Sequence, residues 1–320
     1  MLVPAFFDNC MGSMILGLLV AATSTIPKEG GALVLLTGLT TGFCGAYTTF
    51  SAWALQTDDL VVANPDEVAE GDPQPQVTGI IYICGGLACF IVVHRMGMDL
   101  GGVLTGLVER GAPHVKQVSA AAAHRARVKQ GSAAAVHGGT AARCAGWAGG
   151  EARSLAACSR VWRALAITNA ALLAAAVAAL ALALGLDDAS WMRRRWWLSA
   201  LFAVPGALLR FALARWLNAF RGGLFPLGTF AANMLGTICS ALIAHAYSDY
   251  GTDWRDTACR AFAVGFCASL TTMSTLVNEL AAIRADFGAR HGLVYIGSSV
   301  ILAEVLAGVI DGRWGSGGGL

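Results

Sequence analysis

The residues able to do chemistry in this chain are amides, hydroxyls and two aromatic rings, and they come in two sets. Gly42 to Ser51 reads GFCGAYTTFS, and Gly265 to Ser274 reads GFCASLTTMS. Thr48, Thr49 and Ser51 of the first stretch recur as Thr271, Thr272 and Ser274 of the second, whereas Tyr47 and Phe50 are replaced by Leu270 and Met273. Upstream of each stretch stands an asparagine, Asn9 or Asn233, followed by Gly12-Ser13 or Gly236-Thr237. Asn amides and Ser/Thr hydroxyls are hydrogen-bond donors. Aromatic rings have a negative face and a positive edge. In series, such groups can stand in for the hydration of a small anion without holding it too tightly to leave. Each also has a plain reading. Asparagine is a common interhelical contact in membranes, Tyr47 and Phe50 can be packing, and the threonines can bond back to their own helix.

Both stretches lie inside apolar segments long enough to cross a bilayer, yet their glycines, threonines and serines are poor helix formers. Two interrupted helices at matching places in two halves point to a transport site. Hydrophobic residues make up 56% of the 320 and charged residues only 13%, the balance of a polytopic membrane protein. A net charge of +2 gives no case for nucleic acid. The 9 cysteines, Cys84, Cys89 and Cys239 among them, show no metal-ligand spacing and read as small buried hydrophobes. No hydrolase constellation or nucleotide loop is visible, so an enzyme is not expected. The N-terminus lacks the basic region of a cleaved signal peptide.

Eight spans are expected, at about 3–20, 32–55, 77–98, 161–186, 196–217, 224–247, 259–283 and 293–310, each near the ~20 residues that crossing requires. The chain divides into a first repeat (1–100), a basic Ala/Gly-rich linker (101–160), a connecting transmembrane helix (161–190), a second repeat (191–312) and a flexible tail (313–320). The step from Asn9 to Gly42 is 33 residues and from Asn233 to Gly265 is 32. Spans one to three therefore repeat as spans six to eight, and a single intervening crossing inverts one repeat relative to the other. The positive-inside rule places the basic linker and Arg284 to Arg290 inside and the acidic 58–75 loop outside. Arg193 to Arg195 runs against that assignment.

The Asn-x-x-Gly-Ser/Thr span followed by Gly-Phe-Cys-Gly-x-aromatic-Thr-Thr-Phe-Ser resembles the fluoride channels of the Fluc/CrcB family. Two such units joined by one helix resemble its fused two-repeat eukaryotic fluoride exporters (FEX type). Gly206-Ala-Leu-Leu-Arg210 is similar to the family's first-span motif, and Tyr295 to Ser299 to its last-span Tyr-x-x-x-Ser. The resemblance implies an all-α polytopic membrane protein: an inverted-topology repeat with broken pore helices, folded as a single-chain pseudo-dimer in the lipid bilayer of a plasma membrane. It implies two antiparallel fluoride pathways, one of which can be degenerate in fused members. It also implies a structural sodium ion held by backbone carbonyls, here those of Gly42, Gly45, Gly265 and Ala268.

Carried over residue by residue, the pore lining is Asn9, Tyr47, Thr48, Thr49, Phe50, Ser51, Asn233, Leu270, Thr271, Thr272, Met273, Ser274, Glu279, Ser299 and Arg210. Tyr47, Phe50, Leu270 and Met273 occupy the aromatic-box positions. Where the second half has Glu279 and Ser299, the first has Gln56 and Gly86. The halves look complementary, which predicts one competent pathway mixing them. Arg210, costly within a span, is either an anchor or an anion attractor. Glu304 is expected to find a polar partner in the second half. Three functions remain open: a passive fluoride channel giving fluoride resistance, a proton-coupled anion transporter using Glu279 or Glu304, and a non-conducting membrane scaffold. No counterpart of the Arg210 span precedes Asn9, so either upstream sequence is missing or eight spans suffice.

Overall fold

The computed structural model describes residues 4–23, 35–61, 75–111, 191–218, 223–247 and 254–310, with helical positions at Ala171, Ala174, Ala175, Ala178 and Leu182. The 62–74 part of the acidic loop, the linker from 112 to 160, most of the connecting helix and the 313–320 tail lie outside the described residues. Among the described residues the architecture is all helical, with no strand.

Helix α1 spans Pro4–Ala22. The first broken helix follows, with a π-helical turn at Gly38–Cys44 running into Gly45–Tyr47. The chain is extended at Thr48 and becomes helical again as α2, Phe50–Val61. Helix α3 is Pro75–Gly111 and α4 is Trp191–Leu217. After α5, Leu227–Ala246, the second broken helix repeats the first: α6 (Trp254–Phe262), a π-helical turn at Ala263–Cys267, and Ala268–Leu270. It is extended at Thr271 and Thr272 before α7, Met273–Phe287, and α8, Ala289–Ile310. Six described helical segments are long and apolar enough to cross a membrane. The other two expected spans are the first broken helix and the connecting helix.

Small residues set the helix spacing. A side chain on Gly17 would meet the His94 carbonyl, one on Gly97 the Met14 carbonyl, and one on Gly101 the Leu18 carbonyl. Gly97 and Gly101 thus form a Gly-x-x-x-Gly seam of α3 on α1. The seam also explains why α3 runs on past the expected boundary at Met98. In the second half, Gly265 abuts the Ser199 carbonyl and Gly206 the Phe266 carbonyl, locking α4 to the second broken helix. Gly42, equivalent to Gly265, faces open space.

The inversion is visible in the ends. Thr229, near the start of α5, hydrogen-bonds Glu279 on α7. Val20, near the end of α1, shares a cleft with Arg284 and Ala285 near the end of α7. Equivalent helices α1 and α5 therefore run in opposite directions.

Phe50, Trp53, Phe90, Met273, Leu276 and Tyr295 are buried in a single core between the halves. Phe7, Ile81, Leu293 and Ile301 are exposed on the outside, as suits helices whose solvent is lipid. That solvent also corrects the expectation for the thiols. Cys44 and Cys267 are buried just before the breaks, but Cys84 and Cys89 are exposed on α3, where an apolar surround removes the need to bury them.

Candidate functional site at the helix crossing

Each break is held by an asparagine that mimics a peptide group. Asn9 Nδ2 donates to the Thr49 carbonyl at 3.0 Å and its Oδ1 accepts the Thr49 N–H at 2.8 Å. Asn233 does the same for Thr272, at 3.2 Å and 2.8 Å. Both asparagines are fully buried. The clamp has a side effect. In an unbroken helix the Thr49 N–H would close on the Gly45 carbonyl, and the Thr272 N–H on the Ala268 carbonyl. Each amide retains a second N–H.

The breaks interlock through hydroxyls. Thr48 Oγ1 lies 3.3 Å from Thr272 Oγ1, donates to Ser274 Oγ at 3.0 Å and accepts the Ser274 N–H at 3.1 Å. Thr271 Oγ1 accepts the Ser51 N–H at 3.2 Å and lies 3.1 Å from Ser51 Oγ and 3.3 Å from Thr49 Oγ1. The first turn of α2 is thus capped by the second half, and that of α7 by the first half, satisfying N–H groups that helix starts leave open. The Cys44 carbonyl, 3.0 Å from Thr48 Oγ1, is the alternative local acceptor for the same hydroxyl proton. Two helix N-termini with partial positive charge therefore converge on one buried hydroxyl cluster.

The box positions differ sharply. Phe50 is buried against Trp53, ring centres 6.0 Å apart, and Met273 is buried in the same core. Tyr47 is 41% exposed and stacks on Phe43 at 5.6 Å, whereas Leu270 is 1% exposed. Ser299 turns back to the Tyr295 carbonyl at 2.8 Å.

Glu279 lies at the centre of a polar chain. Asn218 Nδ2 and Thr229 Oγ1 donate to its Oε1 at 2.8 and 2.7 Å, and the Tyr295 hydroxyl donates to its Oε2 at 2.7 Å. At the equivalent place in the first half, Gln56 Oε1 and the Tyr82 hydroxyl are buried without partners. Sequence reasoning missed Thr229 and Asn218. Thr229 carries a usable signal, since it precedes Asn233 by one helical turn on the same face; Asn218 carries none.

Arg210 is 2% exposed. Its Nε donates to the Ser269 carbonyl at 2.9 Å, its Nη1 has no partner, and a side chain on Gly45 would collide with its guanidinium. It thus touches both broken helices. Glu304 accepts from Thr57 Oγ1 at 2.5 Å. Its partner belongs to the first half, not the second as expected, because α8 packs against α2 as well as against its own repeat.

Carbonyls could hold a cation at the crossing. Those of Gly45 and Ala268 lose their helical N–H to the asparagine clamps, and those of Gly42 and Gly265 lie in the two π-helical turns. Oxygen donors of this kind suit a hard cation.

The fold and the paired site define an inverted-repeat membrane protein of one class. A family model described as CrcB-like protein, Camphor Resistance (CrcB), matches residues 2–98 and 197–310, and the chain belongs to that family. Among known proteins it is similar to Fluoride export protein 1 of Candida albicans, 29% identical over 276 residues, 83% of this chain and 59% of that protein. A Fluoride export protein 1 of Neurospora crassa is 40% identical over 139 residues, 40% of this chain and 25% of that protein. The chain therefore spans less than two thirds of these relatives' length, 59% of one and 25% of the other. The Fluoride-specific ion channel FluC of Paracidovorax citrulli is 32% identical over 119 residues, 36% of this chain and 90% of that channel. No solved structure matches.

Proposed function

We propose that this chain is a fluoride channel that lets the anion leave the cell passively through the plasma membrane and so gives fluoride resistance. The observation that carries the reading is the convergence of two reciprocally capped helix N-termini on a buried hydroxyl cluster, continued by the Glu279 chain. Stripping water from a small anion is prohibitive unless donors replace it. Thr48, Thr49, Ser51, Thr271, Thr272 and Ser274, with the spare amide N–H of Asn9 and Asn233, are the donors within reach. Tyr47 and Phe50 supply ring edges from the first half, while Glu279, Thr229, Tyr295 and Ser299 supply the polar track from the second. The conducting path is single and mixes the halves, because Gln56 and Tyr82 in the first half form no such track. The donor set of Gly42, Gly45, Gly265 and Ala268 suits a structural sodium ion, which would tie the two broken helices together.

The test is release of fluoride from potassium fluoride-loaded proteoliposomes, read with a fluoride electrode. A channel releases fluoride only when valinomycin lets potassium follow, and an imposed pH gradient does not drive it. Glu279 is the specific reason to keep proton coupling as the second reading, since it is the carboxyl group on the polar track. Release that follows the pH gradient without valinomycin would replace the channel by that transporter, and no release would leave the scaffold.

A further inference from the structure

A cleft of about 650 Å³ opens between α1, α3 and α7, away from the helix crossing. Its walls are apolar, with Val20 from α1, Ile91 and Met98 from α3, and Val277 and Leu280 from α7. Its polar lining is His94 and Asn278. His94 is 2% exposed, and its Nε2 is buried without a partner. Arg95 and Arg284 also line the cleft. Arg95 faces Asp99 at 3.4 Å, an exposed pair of the kind that binds weakly. Arg284 has no ion-pair partner among the described residues; its stem lies over Gly292, which fixes the root of the side chain. Ala289, the first residue of α8, also lines the cleft, so a helix N-terminus adjoins it.

We propose that this cleft binds one anionic phospholipid. The depth fits. Helix α1 ends at Ala22, α7 ends at Phe287 and α8 begins at Ala289, so Arg284 and Ala289 lie at helix ends, where lipid headgroups sit. The chemistry fits as well. Two guanidinium groups and a helix start take the phosphate, and basic pockets between transmembrane helices bind acidic headgroups in this way. Below Arg284 on α7, Asn278 meets the glycerol ester oxygens. The Ile91, Val277 and Leu280 walls, a helical turn or more deeper than Arg95 and Arg284 along α3 and α7, then take the acyl chain, a lining that water would find poor. A free phosphate would leave those walls bare.

The full chain, purified in micelles doped equally with phosphatidylglycerol and phosphatidylcholine, is examined by native mass spectrometry. Phosphatidylglycerol is retained in preference, and the doubly substituted Arg95→Gln/Arg284→Gln chain loses that preference roughly ten- to thirtyfold, the effect of two basic side chains on an acidic headgroup. Ala281→Trp, which fills the cleft from its α7 wall, reduces retention of either lipid. Millimolar inorganic phosphate leaves the phosphatidylglycerol in place. Equal retention of the two lipids, retention unchanged in the double variant, or displacement by inorganic phosphate overturns the proposal. So does failure of phosphatidylglycerol to raise the thermal midpoint of the unsubstituted chain above that in phosphatidylcholine, a measurement that depends on no variant.

Discussion

Replacing Asn233 with leucine separates the two roles its position allows. The side chain is fully buried and makes two bonds to one residue, accepting the Thr272 N–H at 2.8 Å and donating to the Thr272 carbonyl at 3.2 Å. Leucine has nearly the same volume but no polar atom, so both backbone groups of Thr272 lose their partners. A buried polar group left unpaired costs about 1–3 kcal/mol, which makes the expected loss about 2–6 kcal/mol. Asn9→Leu removes the matching pair of bonds to Thr49, at 2.8 and 3.0 Å, and is expected to cost a similar amount. The assay is equilibrium unfolding of the purified chain, run beside fluoride release from proteoliposomes. If Asn233→Leu unfolds within about 1 kcal/mol of the unsubstituted chain, less than one orphaned group costs, the clamp argument is wrong. Loss of fluoride release at unchanged stability would mark Asn233 as a pore donor and nothing more.

Gly265→Ala pushes a methyl into the Ser199 carbonyl and should lower the unfolding midpoint and abolish fluoride release, whereas Gly42→Ala, facing open space, should alter neither. Glu279→Gln keeps an oxygen for Asn218 and Thr229 but puts a donating amide where Oε2 accepts the Tyr295 O–H, so it should cost about 1–3 kcal/mol for that one stranded donor. Glu279→Leu strands three donors at roughly 1–3 kcal/mol each, and the gap appears in the same unfolding measurement. Thr57→Val removes the one hydrogen bond that Glu304 makes among the described residues and should destabilise the chain by about 1–3 kcal/mol, read from the shift in unfolding midpoint.

The breaks were legible because the sequence carries them twice. A threonine pair after a glycine-rich turn disfavours helix once by propensity, but its recurrence at the same distance from an asparagine makes it architecture. What the asparagines do there was not legible. A donor-rich side chain reads the same whether it faces an ion or a peptide group, and only the backbone path at Thr49 and Thr272 decides. Thr229 could be placed on the Asn233 face by counting one turn back, but its partner Glu279 lies 50 residues on, beyond any local pattern. The Glu304 partner was misplaced for the same reason, since repeat symmetry says nothing about which side of α8 meets the other half. The run of α3 past Met98 depends on Gly101 seating against α1, a contact that spacing alone does not reveal.

Reciprocal capping also sets a schedule for biogenesis. Thr271 takes the Ser51 N–H at the start of α2 across 220 positions of chain. At synthesis rates of about 5–20 residues per second, α2 is made about 10–45 s before the residue that caps it exists. During that interval the first break holds open polar groups that lipid cannot satisfy. The early half must therefore wait beside the insertion machinery, or in the company of water, until its late half arrives. A pause or a premature stop after residue 111 would leave a hydrophobic segment whose Ser51 N–H lacks its cap, with the local Thr49 hydroxyl covering only the Ala52 N–H, a natural target for membrane quality control.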